Sequence, residues 1–385
     1  MATPPGFPGY PQGTGVPGPG PNAGATTIDL SQTSIFSETV ETFSCSVPEF
    51  SRLKTPDWRT SWPAQMVYFE RKIFTDGVLS FPDGVNVTYW GFEDLLFGKG
   101  KQPFPSPLIR LREGELAQVT LETRNGPHTI HHHGIEPTTL NDGVGHVSFE
   151  VNGRYTYQWV PRSAGTWFYH CHRNTVLHFE MGLFGLLVVD PPEGWGYIKR
   201  GNETLRYNVE AMWVMDDIDP VWHKLDKSAG ICGEDAGLNI FKPKYFLVSG
   251  IHKSKTLTDA SVAVTATQGD KILIRTLNAS YSVVGISLGG LQAECVSIDG
   301  RTLASSDRPW SRKLIYQKNQ EIMMATAMRH DLYIDTSSVA PGTYTVTFNY
   351  YDWVTKKIHN VNNPGANKIY EGKAQTRIVI KPRTL

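Results

Sequence analysis

The hydrophobic residues of this 385-residue chain fall in short runs that turn-forming residues interrupt, and no long stretch follows the 3.6-residue period of a helix. Charged residues make up only 19% of the chain, whereas glycine and proline number 36 and 25. Short runs bounded by such residues are typical of strands. The sequence therefore predicts an all-β protein, with first-half strands at 65–74, 85–90, 108–122, 155–160, 165–170 and 185–189.

A marked break at 191–196 divides the chain into two parts of similar organisation. Pro191 and Pro192 remove two consecutive backbone donors, which ends any sheet ladder. After the break, segments 245–250, 261–267 and 271–278 repeat the strand pattern, and 341–346 resembles 164–169 in its Gly-Thr-aromatic order. We therefore expect two similar β-sandwich domains in tandem, over 31–192 and 193–385.

The overall composition argues against several classes of function. Lys plus Arg and Asp plus Glu both number 37, so no basic surface for nucleic acid is expected. No run reaches the roughly 18–20 apolar residues of a membrane helix. The first 30 residues are rich in Pro and Gly and lack the basic and apolar regions of a signal peptide, so we expect a disordered leader over 1–30.

The cysteines do not define a disulfide framework, because Cys45, Cys171, Cys232 and Cys295 are too few and too scattered. A single bridge between Cys232 and Cys295 stays open, and so does the redox compartment. Cys171 stands apart from the others, since a histidine flanks it on each side.

Histidine is concentrated in one segment, where eight of the twelve lie between positions 128 and 178. The first group is the run 128–133, and side chains on a strand alternate between its two faces. His131 and His133 therefore project from one face. Four histidines have no predicted ligand role. We expect His132 and His146 to be supporting or surface residues, and no local motif surrounds His223 or His252.

A second group surrounds the cysteine. By the same alternation, His170 and His172 share one face and Cys171 takes the other, so the thiol can bind a different metal from its neighbours. His178 and Met181 follow shortly afterwards. A thiolate, an imidazole and a thioether, completed by one more histidine, form the ligand set of a blue copper centre. Zinc is the competing metal, but structural zinc sites favour two or more cysteines or compact Cys/His pairs.

These segments resemble those of a known family, the multicopper oxidases and their two-domain relatives, the copper nitrite reductases. The resemblance covers nearly the whole chain, and its specific part runs from 107 to 192. That part contains His-His-His-Gly at 131–134, Asn-Asp-Gly-Val at 141–144 and Tyr-His-Cys-His at 169–172. The resemblance implies two cupredoxin-like Greek-key sandwiches, a copper cofactor and single-electron redox chemistry.

The resemblance also implies which side chains bind copper. The ligands of a type 1 copper would be His128, Cys171 and His178, with Met181 in the axial position. The ligands of a type 2 or type 3 copper cluster would be His131, His133, His170 and His172. Asp142 would relay protons near that cluster, although an Asn-Asp-Gly turn accounts for this residue equally well.

Two departures limit what carries over from the family. The second type 1 histidine usually stands five residues after the cysteine, whereas His178 stands seven after Cys171. The second half lacks a matching pair of His-x-His motifs, so we expect a cupredoxin-like domain without copper over 193–385. One chain therefore supplies only four of the eight imidazoles that a trinuclear copper cluster takes.

Three functions stay open. In the favoured one, two first domains meet about a twofold axis and complete the cluster, where dioxygen is reduced. A nitrite-reductase-like ring, with a third histidine such as His330 or His359 from a neighbour, is the alternative. A type 1 copper electron-transfer protein is the third. The reductant would be a small molecule or a protein, and we expect a homo-oligomer in the periplasm or secreted.

Overall fold

The computed structural model describes residues 13–14, 66–124, 126–145, 148–306, 311–360 and 368–383. Cys45, His146 and all of the predicted leader except 13–14 lie outside the described residues. Within the described ranges, strands dominate and the helices are short, which confirms the prediction of an all-β protein. No helix in these ranges is long and apolar enough to cross a membrane.

The described part of the first half contains nine strands and two short helices. The strands are β1 (Gly13–Thr14), β2 (Met66–Ser80), β3 (Asn86–Asp94), β4 (Ser106–Arg112), β5 (Leu116–Glu122), β6 (His131–His133), β7 (Arg154–Trp159), β8 (Gly165–His170) and β9 (Phe184–Asp190). The helices are α1 (Thr139–Asp142) and α2 (Thr175–Glu180). The predicted run 108–122 is two strands, β4 and β5, separated by the turn that contains Gly114.

The second half contains the remaining described strands. These are β10 (Tyr197–Arg200), β11 (Glu203–Arg206), β12 (Val209–Ile218), β13 (Tyr245–Val248), β14 (Ile251–His252), β15 (Val264–Thr267), β16 (Lys271–Asn278), β17 (Val283–Ser287), β18 (Ala293–Ile298), β19 (Arg301–Thr302), β20 (Leu314–Tyr316), β21 (Ile322–Met324), β22 (Arg329–Asp335), β23 (Gly342–Tyr351) and β24 (Lys373–Lys381). The helix α3 (Lys253–Thr256) and 3-10 turns at Trp222–Lys224 and Lys368–Tyr370 complete this half.

The two halves share one sheet topology. In the first half, one sheet has the order β3-β2-β5-β7 and the other β1-β4-β9-β8-β6. The second half repeats these as β13-β12-β16-β22 and β15-β24-β23-β17, each within a wider sheet. The parallel pairs β2 with β5 and β4 with β9 recur as β12 with β16 and β15 with β24. In each half, therefore, the same arrangement of two sheets encloses a core.

The core of each half comes from strands whose residues point into the space between its sheets. All residues of β8 and β9 are buried, as expected for strands that are covered on both faces. A third apolar cluster, which includes Phe168, Phe184, Met212 and Leu277, joins the two halves. No described strand crosses 191–192, and the domain boundary at 192 stays a prediction.

A buried ionic network also joins the halves. Arg110 donates to Asp190 at 2.7 Å and to Glu210 at 2.7 Å, and Arg275 donates to Glu210 at 2.6 Å. Both Arg275 and Asp331 are buried, with a separation of 3.6 Å between Nη1 and Oδ1. Because each carboxylate has a cationic partner, the network places charge inside the protein without leaving an isolated ion.

Three of the cysteines lie in the described ranges, and all three are free thiols. Cys232 is exposed, whereas Cys295 is buried in the core of the second half. The Cys232–Cys295 bridge that the sequence left open is therefore not formed in this structure.

Candidate metal centre

The histidine-rich segments meet where β6 lies antiparallel to β8, with His131 opposite His170. The centroids of the His131 and His170 rings are 5.2 Å apart, and those of the His131 and His172 rings are 5.3 Å apart. Cys171, the next residue after β8, is fully buried in the core of the first half. The structure therefore places the thiol and its flanking imidazoles in two separate groups.

The first group consists of Cys171, His128 and His178. The Sγ atom of Cys171 lies 3.6 Å from Nδ1 of His128 and 3.5 Å from Nδ1 of His178. One potential ligand atom from each of the three residues lies within 4.8 Å of the others. Met181 is buried in the same core cluster, and its axial role stays a prediction.

Helix α2 and strand β3 position this group. His178 lies in α2, and Met181 follows the helix with its backbone carbonyl accepting from Trp90 N at 2.7 Å. The Trp90 ring packs edge-on against His178, with centroids 5.1 Å apart. Gly182 is required beside them, because it has a φ of 108° and a Cβ there would clash with the Trp90 carbonyl.

The electrostatics of the first group suit a metal ion. Burial lowers the pKa of His128 to about 3 and that of His178 to about 4, so both imidazoles are neutral and have lone pairs to share. Burial raises the pKa of the Cys171 thiol, so binding a cation requires the loss of its proton. Two neutral imidazoles and one thiol directed at a common point form a donor set that fits copper.

The second group consists of His131, His133, His170 and His172. Nδ1 of His133 lies 3.1 Å from Nε2 of His170. Potential ligand atoms of His131, His133 and His170 lie within 4.8 Å of one another, and the His172 ring packs 5.6 Å from that of His170. Across the described ranges, only two sets of three or more histidine, cysteine or acidic residues have this compactness: His131, His133 and His170 here, and His128, Cys171 and His178 in the first group.

Hydrogen bonds to neighbouring protein atoms orient three of these rings. His131 Nδ1 donates to the Asp142 carbonyl at 2.7 Å, and His170 Nδ1 donates to the Cys171 carbonyl at 2.8 Å. His172 Nδ1 lies 3.2 Å from the Thr175 hydroxyl. Because Nδ1 bears the proton in His131 and His170, Nε2 of each of these two rings has a lone pair, and hydrogen bonds of this kind are how proteins orient histidine ligands.

Burial also keeps three imidazoles of the second group neutral, those of His131, His133 and His170. It lowers the pKa of His133 to about 3, with Arg329 and the neighbouring imidazoles adding to the effect. The pKa values of His131 and His170 are lowered too, mainly by burial. These imidazoles therefore have lone pairs at neutral pH, and a set of nitrogen donors of this kind suits copper.

Asp142 lies beside His131, as the sequence analysis expected. Its backbone carbonyl accepts from the ring, while its Oδ1 atom lies 3.6 Å from Nδ1. Gly143 ends α1 with a φ of 73°, and a Cβ there would clash with the Ile130 carbonyl. The Asn-Asp-Gly turn thus packs against the histidine strand and presents a carboxylate at its edge, and the proton-relay role stays a prediction.

The other described histidines lie apart from both groups. His132 is fully buried against Trp159, and neither ring nitrogen has a hydrogen-bond partner among the residues that the structure describes. His330 is buried with Nδ1 at 3.4 Å from the Tyr316 hydroxyl, and His359 Nε2 lies 2.9 Å from the Ser282 hydroxyl. His223 and His252 are buried in the second half, outside either group.

Several residues that support the two groups were not predicted from the sequence. The Thr129 hydroxyl accepts from His172 N at 2.7 Å, and the adjacent His128 was the signal that could have found it. Trp90 and the Lys227 carbonyl contact His178 from distant parts of the sequence. No local pattern marks either residue.

The multicopper oxidase family model matches residues 99–194. L-ascorbate oxidase from Cucumis sativus is 31% identical over 205 residues, which are 49% of this chain and 31% of that protein. Copper-containing nitrite reductase from Neisseria meningitidis serogroup B is 30% identical over 120 residues, which are 30% of this chain and 28% of that protein. The chain thus spans less than a third of the length of these curated relatives.

Solved structures of similar proteins extend the likeness to both halves. Blue copper oxidase from Nitrosomonas europaea superposes with a TM-score of 0.59 and 21% identity, covering 81% of this chain and 85% of that chain. Copper nitrite reductase from the same organism gives a TM-score of 0.53 and 14% identity, covering 82% and 94%. These likenesses confirm the predicted fold of two tandem cupredoxin-like Greek-key sandwiches.

Proposed function

We propose, from the premise that this chain contains a multicopper oxidase domain, that it is a copper-dependent oxidoreductase that takes single electrons and reduces dioxygen. A type 1 copper would be held by His128, Cys171, His178 and Met181. A second copper cluster, shared between subunits, would be held by His131, His133, His170 and His172. The reductant would be a small molecule or a protein, and the location periplasmic or secreted.

The observation that carries the proposal is the position of Cys171 between His170 and His172. The thiol lies within 3.6 Å of two imidazoles in one group, while its two sequence neighbours lie in the other. Peptide bonds therefore link the two groups by the shortest route that a chain can provide. This arrangement suits one-electron uptake at one group and electron use at the other.

Copper bound at these groups would supply one-electron redox chemistry at the first and reduction of dioxygen at the second. The residues of the chain have separate tasks. The Cys171 thiol gives up its proton to act as a soft anionic donor. Nδ1 of His178 faces the first group because its Nε2–H donates to the Lys227 carbonyl. The Asp142 carboxylate, 3.6 Å from His131, would carry protons towards the second group.

Only half of an eight-histidine cluster comes from one chain. Strands β17 and β23 of the second half occupy the places of β6 and β8, and they contain no histidine. We therefore favour an isologous contact between the first domains of two chains, each contributing four imidazoles. His330 and His359, which a nitrite-reductase-like site would take from a neighbour, already lie against Tyr316 and Ser282.

Copper stoichiometry, absorption and spin-resonance spectra, and native mass of the purified protein test the proposal. We expect a blue absorption band, an oligomer and about two and a half coppers per chain. About one copper per chain would indicate an electron-transfer protein, and about two with nitrite turnover would indicate the alternative enzyme. A copper-loaded, oxygen-consuming monomer would rule out the shared cluster.

A further inference from the structure

The predicted type 1 group is closed to solvent. Cys171 and His178 are 0% exposed, and His128 and Met181 are 1% exposed. A segment of the second half, residues 219–244, covers His178, and we name it the cap segment. A reductant therefore has no direct path to any of the four side chains in this structure.

The contact between the cap segment and the site is a hydrogen bond. His178 Nε2 lies 3.0 Å from the Lys227 carbonyl, and because a carbonyl oxygen only accepts, Nε2 bears the proton. Asn174 Nδ2 donates to the same carbonyl at 3.2 Å and to that of Ala229 at 2.9 Å. The Lys227 carbonyl thus fills the position where a hydroxyl-bearing reductant would accept the His178 proton.

The cap segment is anchored rather than loose. Trp222 is buried in the core of the first half, and partly buried side chains of the cap pack against the same core: Leu225, Ala229, Leu238 and Phe241. Trp222 Nε1 donates to the Ile240 carbonyl at 3.0 Å, and Lys242 N donates to Asp219 Oδ2 at 2.8 Å. Apolar packing therefore holds the segment against the core of the first half, and the two hydrogen bonds join the beginning of the segment to its end.

We propose that the cap segment selects the reductant, and that the two hydrogen bonds from Asn174, together with the apolar packing, keep it closed. The inference rests on the proposed function. Organic reductants such as phenols, which would hydrogen-bond to His178, are excluded. The substrate class is instead a one-electron donor that reacts across the cap, such as a metal complex. One electron leaves that donor, which is oxidised, and reduces the site held by Cys171, with no bond formed or broken and no proton moved.

The test compares two reductants on the copper-loaded protein by stopped-flow bleaching of the blue band. Hexacyanoferrate(II) is the outer-sphere probe and hydroquinone the phenolic one. The variant is Asn174→Gly, which keeps the left-handed backbone of Asn174 (φ 42°) and removes the amide. Asn360→Gly is the matched control, because Asn360 has a φ of 57° and donates to the Tyr370 carbonyl at 2.8 Å, away from the site.

We expect hydroquinone to bleach the wild-type band at least tenfold more slowly than hexacyanoferrate(II). Asn174→Gly should raise the hydroquinone rate about tenfold and leave the hexacyanoferrate(II) rate within about twofold, while the control changes neither. In the metal-free protein, amide hydrogen exchange within 219–244 should rise in Asn174→Gly and stay unchanged in Asn360→Gly. Leu238→Ala, which loosens the same segment by removing packing, should give the same gain with hydroquinone.

Equal wild-type rates for the two reductants would overturn the inference. The inference would also be overturned if amide exchange within the cap segment rises in both Asn174→Gly and Leu238→Ala while the hydroquinone rate stays at the wild-type value. The same holds if neither variant changes the amide exchange or the bleaching rate. Absence of a blue band in the wild-type protein would instead contradict the proposed type 1 site itself. The two failures are therefore distinguishable.

Discussion

The Sγ atom of Cys171 lies 3.5 Å from Nδ1 of His178, although the two residues are seven positions apart in the chain. Helix α2 accommodates the longer spacing between Cys171 and His178. His178 N donates to the Asn174 carbonyl at 3.0 Å, and Met181 N donates to the Leu177 carbonyl at 2.9 Å. A helical turn shortens the path between Cys171 and His178, so the longer loop still brings both side chains to one point.

Cys171→Ser is expected to abolish the blue absorption of the copper-loaded protein. The band needs a thiolate donor, and a serine hydroxyl is a hard and weakly acidic replacement. Copper content should fall by about one per chain, measured by elemental analysis beside the absorption spectrum. Cys295→Ser is the matched control, because Cys295 is also a buried free thiol but lies in the second core. A blue band that survives Cys171→Ser would refute the ligand assignment.

The sequence was sufficient to predict how the residues around Cys171 divide into groups, because they lie on or directly beside two paired strands. Alternation continued past the end of β8 separates Cys171 from His170 and His172, and antiparallel pairing of β6 with β8 then places His131 opposite His170. The tandem repeat could also be predicted from the sequence, because turn residues and strand periodicity are local properties. Strand ends were less predictable, and β2 continues to Ser80, well beyond the predicted position 74.

Contacts that depend on the packing of the two halves could not be read from the sequence. The Lys227 carbonyl reaches His178 across 49 positions, from a segment without a motif. His132 was grouped with surface or supporting residues, yet it is fully buried and its nitrogens are unpaired among the described residues. Packing between distant segments decides such features, and neither the strand periodicity nor the spacing of residues in the sequence indicates it.

Asp142→Asn is expected to slow oxygen uptake by at least about tenfold while leaving copper content unchanged. The amide cannot carry a proton as the carboxylate does, whereas the backbone carbonyl that binds His131 Nδ1 at 2.7 Å remains. Oxygen consumption with a saturating reductant and metal analysis measure the two effects. Asp352→Asn, in a turn where Asp352 Oδ1 accepts from Val354 N at 3.1 Å, is the control. Equal loss of copper and activity would make Asp142 a structural turn residue only.

Arg275→Met is expected to lower the free energy of unfolding by about 3–5 kcal/mol. The substitution leaves Asp331 buried without the Arg275 guanidinium, and it leaves Glu210 paired with Arg110 alone. Urea unfolding of the metal-free protein, followed by tryptophan fluorescence, measures the change. The control is Arg124→Met, which breaks an exposed pair with Glu122 and should cost less than about 1 kcal/mol. A loss below 1 kcal/mol in Arg275→Met would show that the network adds little.

Asp217→Asn is expected to change how stability depends on pH. Asp217 is fully buried, and burial raises its pKa to about 7, although hydrogen bonds from Ser282 and Tyr281 N oppose the shift. The nearby carboxyls of Glu180 and Asp216 are buried as well, and their pKa values are also raised. Between about pH 4 and 7 the folded protein therefore binds a proton at Asp217 that the unfolded chain has lost.

Because the folded state holds more protons in this window, the stability contributed by a protonated Asp217 falls as pH rises from about 4 to about 7 and then stays low. From pH 5 to 8, wild type should lose roughly 2–3 kcal/mol more than Asp217→Asn, whose amide does not titrate. Urea unfolding of both metal-free proteins at pH 5, 6, 7 and 8 measures the difference. Asp259→Asn, which removes a carboxylate that accepts from Ser261 N at 2.8 Å, is the control and should parallel wild type. Parallel curves for Asp217→Asn and wild type would mean that Asp217 is already ionised at pH 5 in the folded protein, held so by Ser282 and the Tyr281 amide.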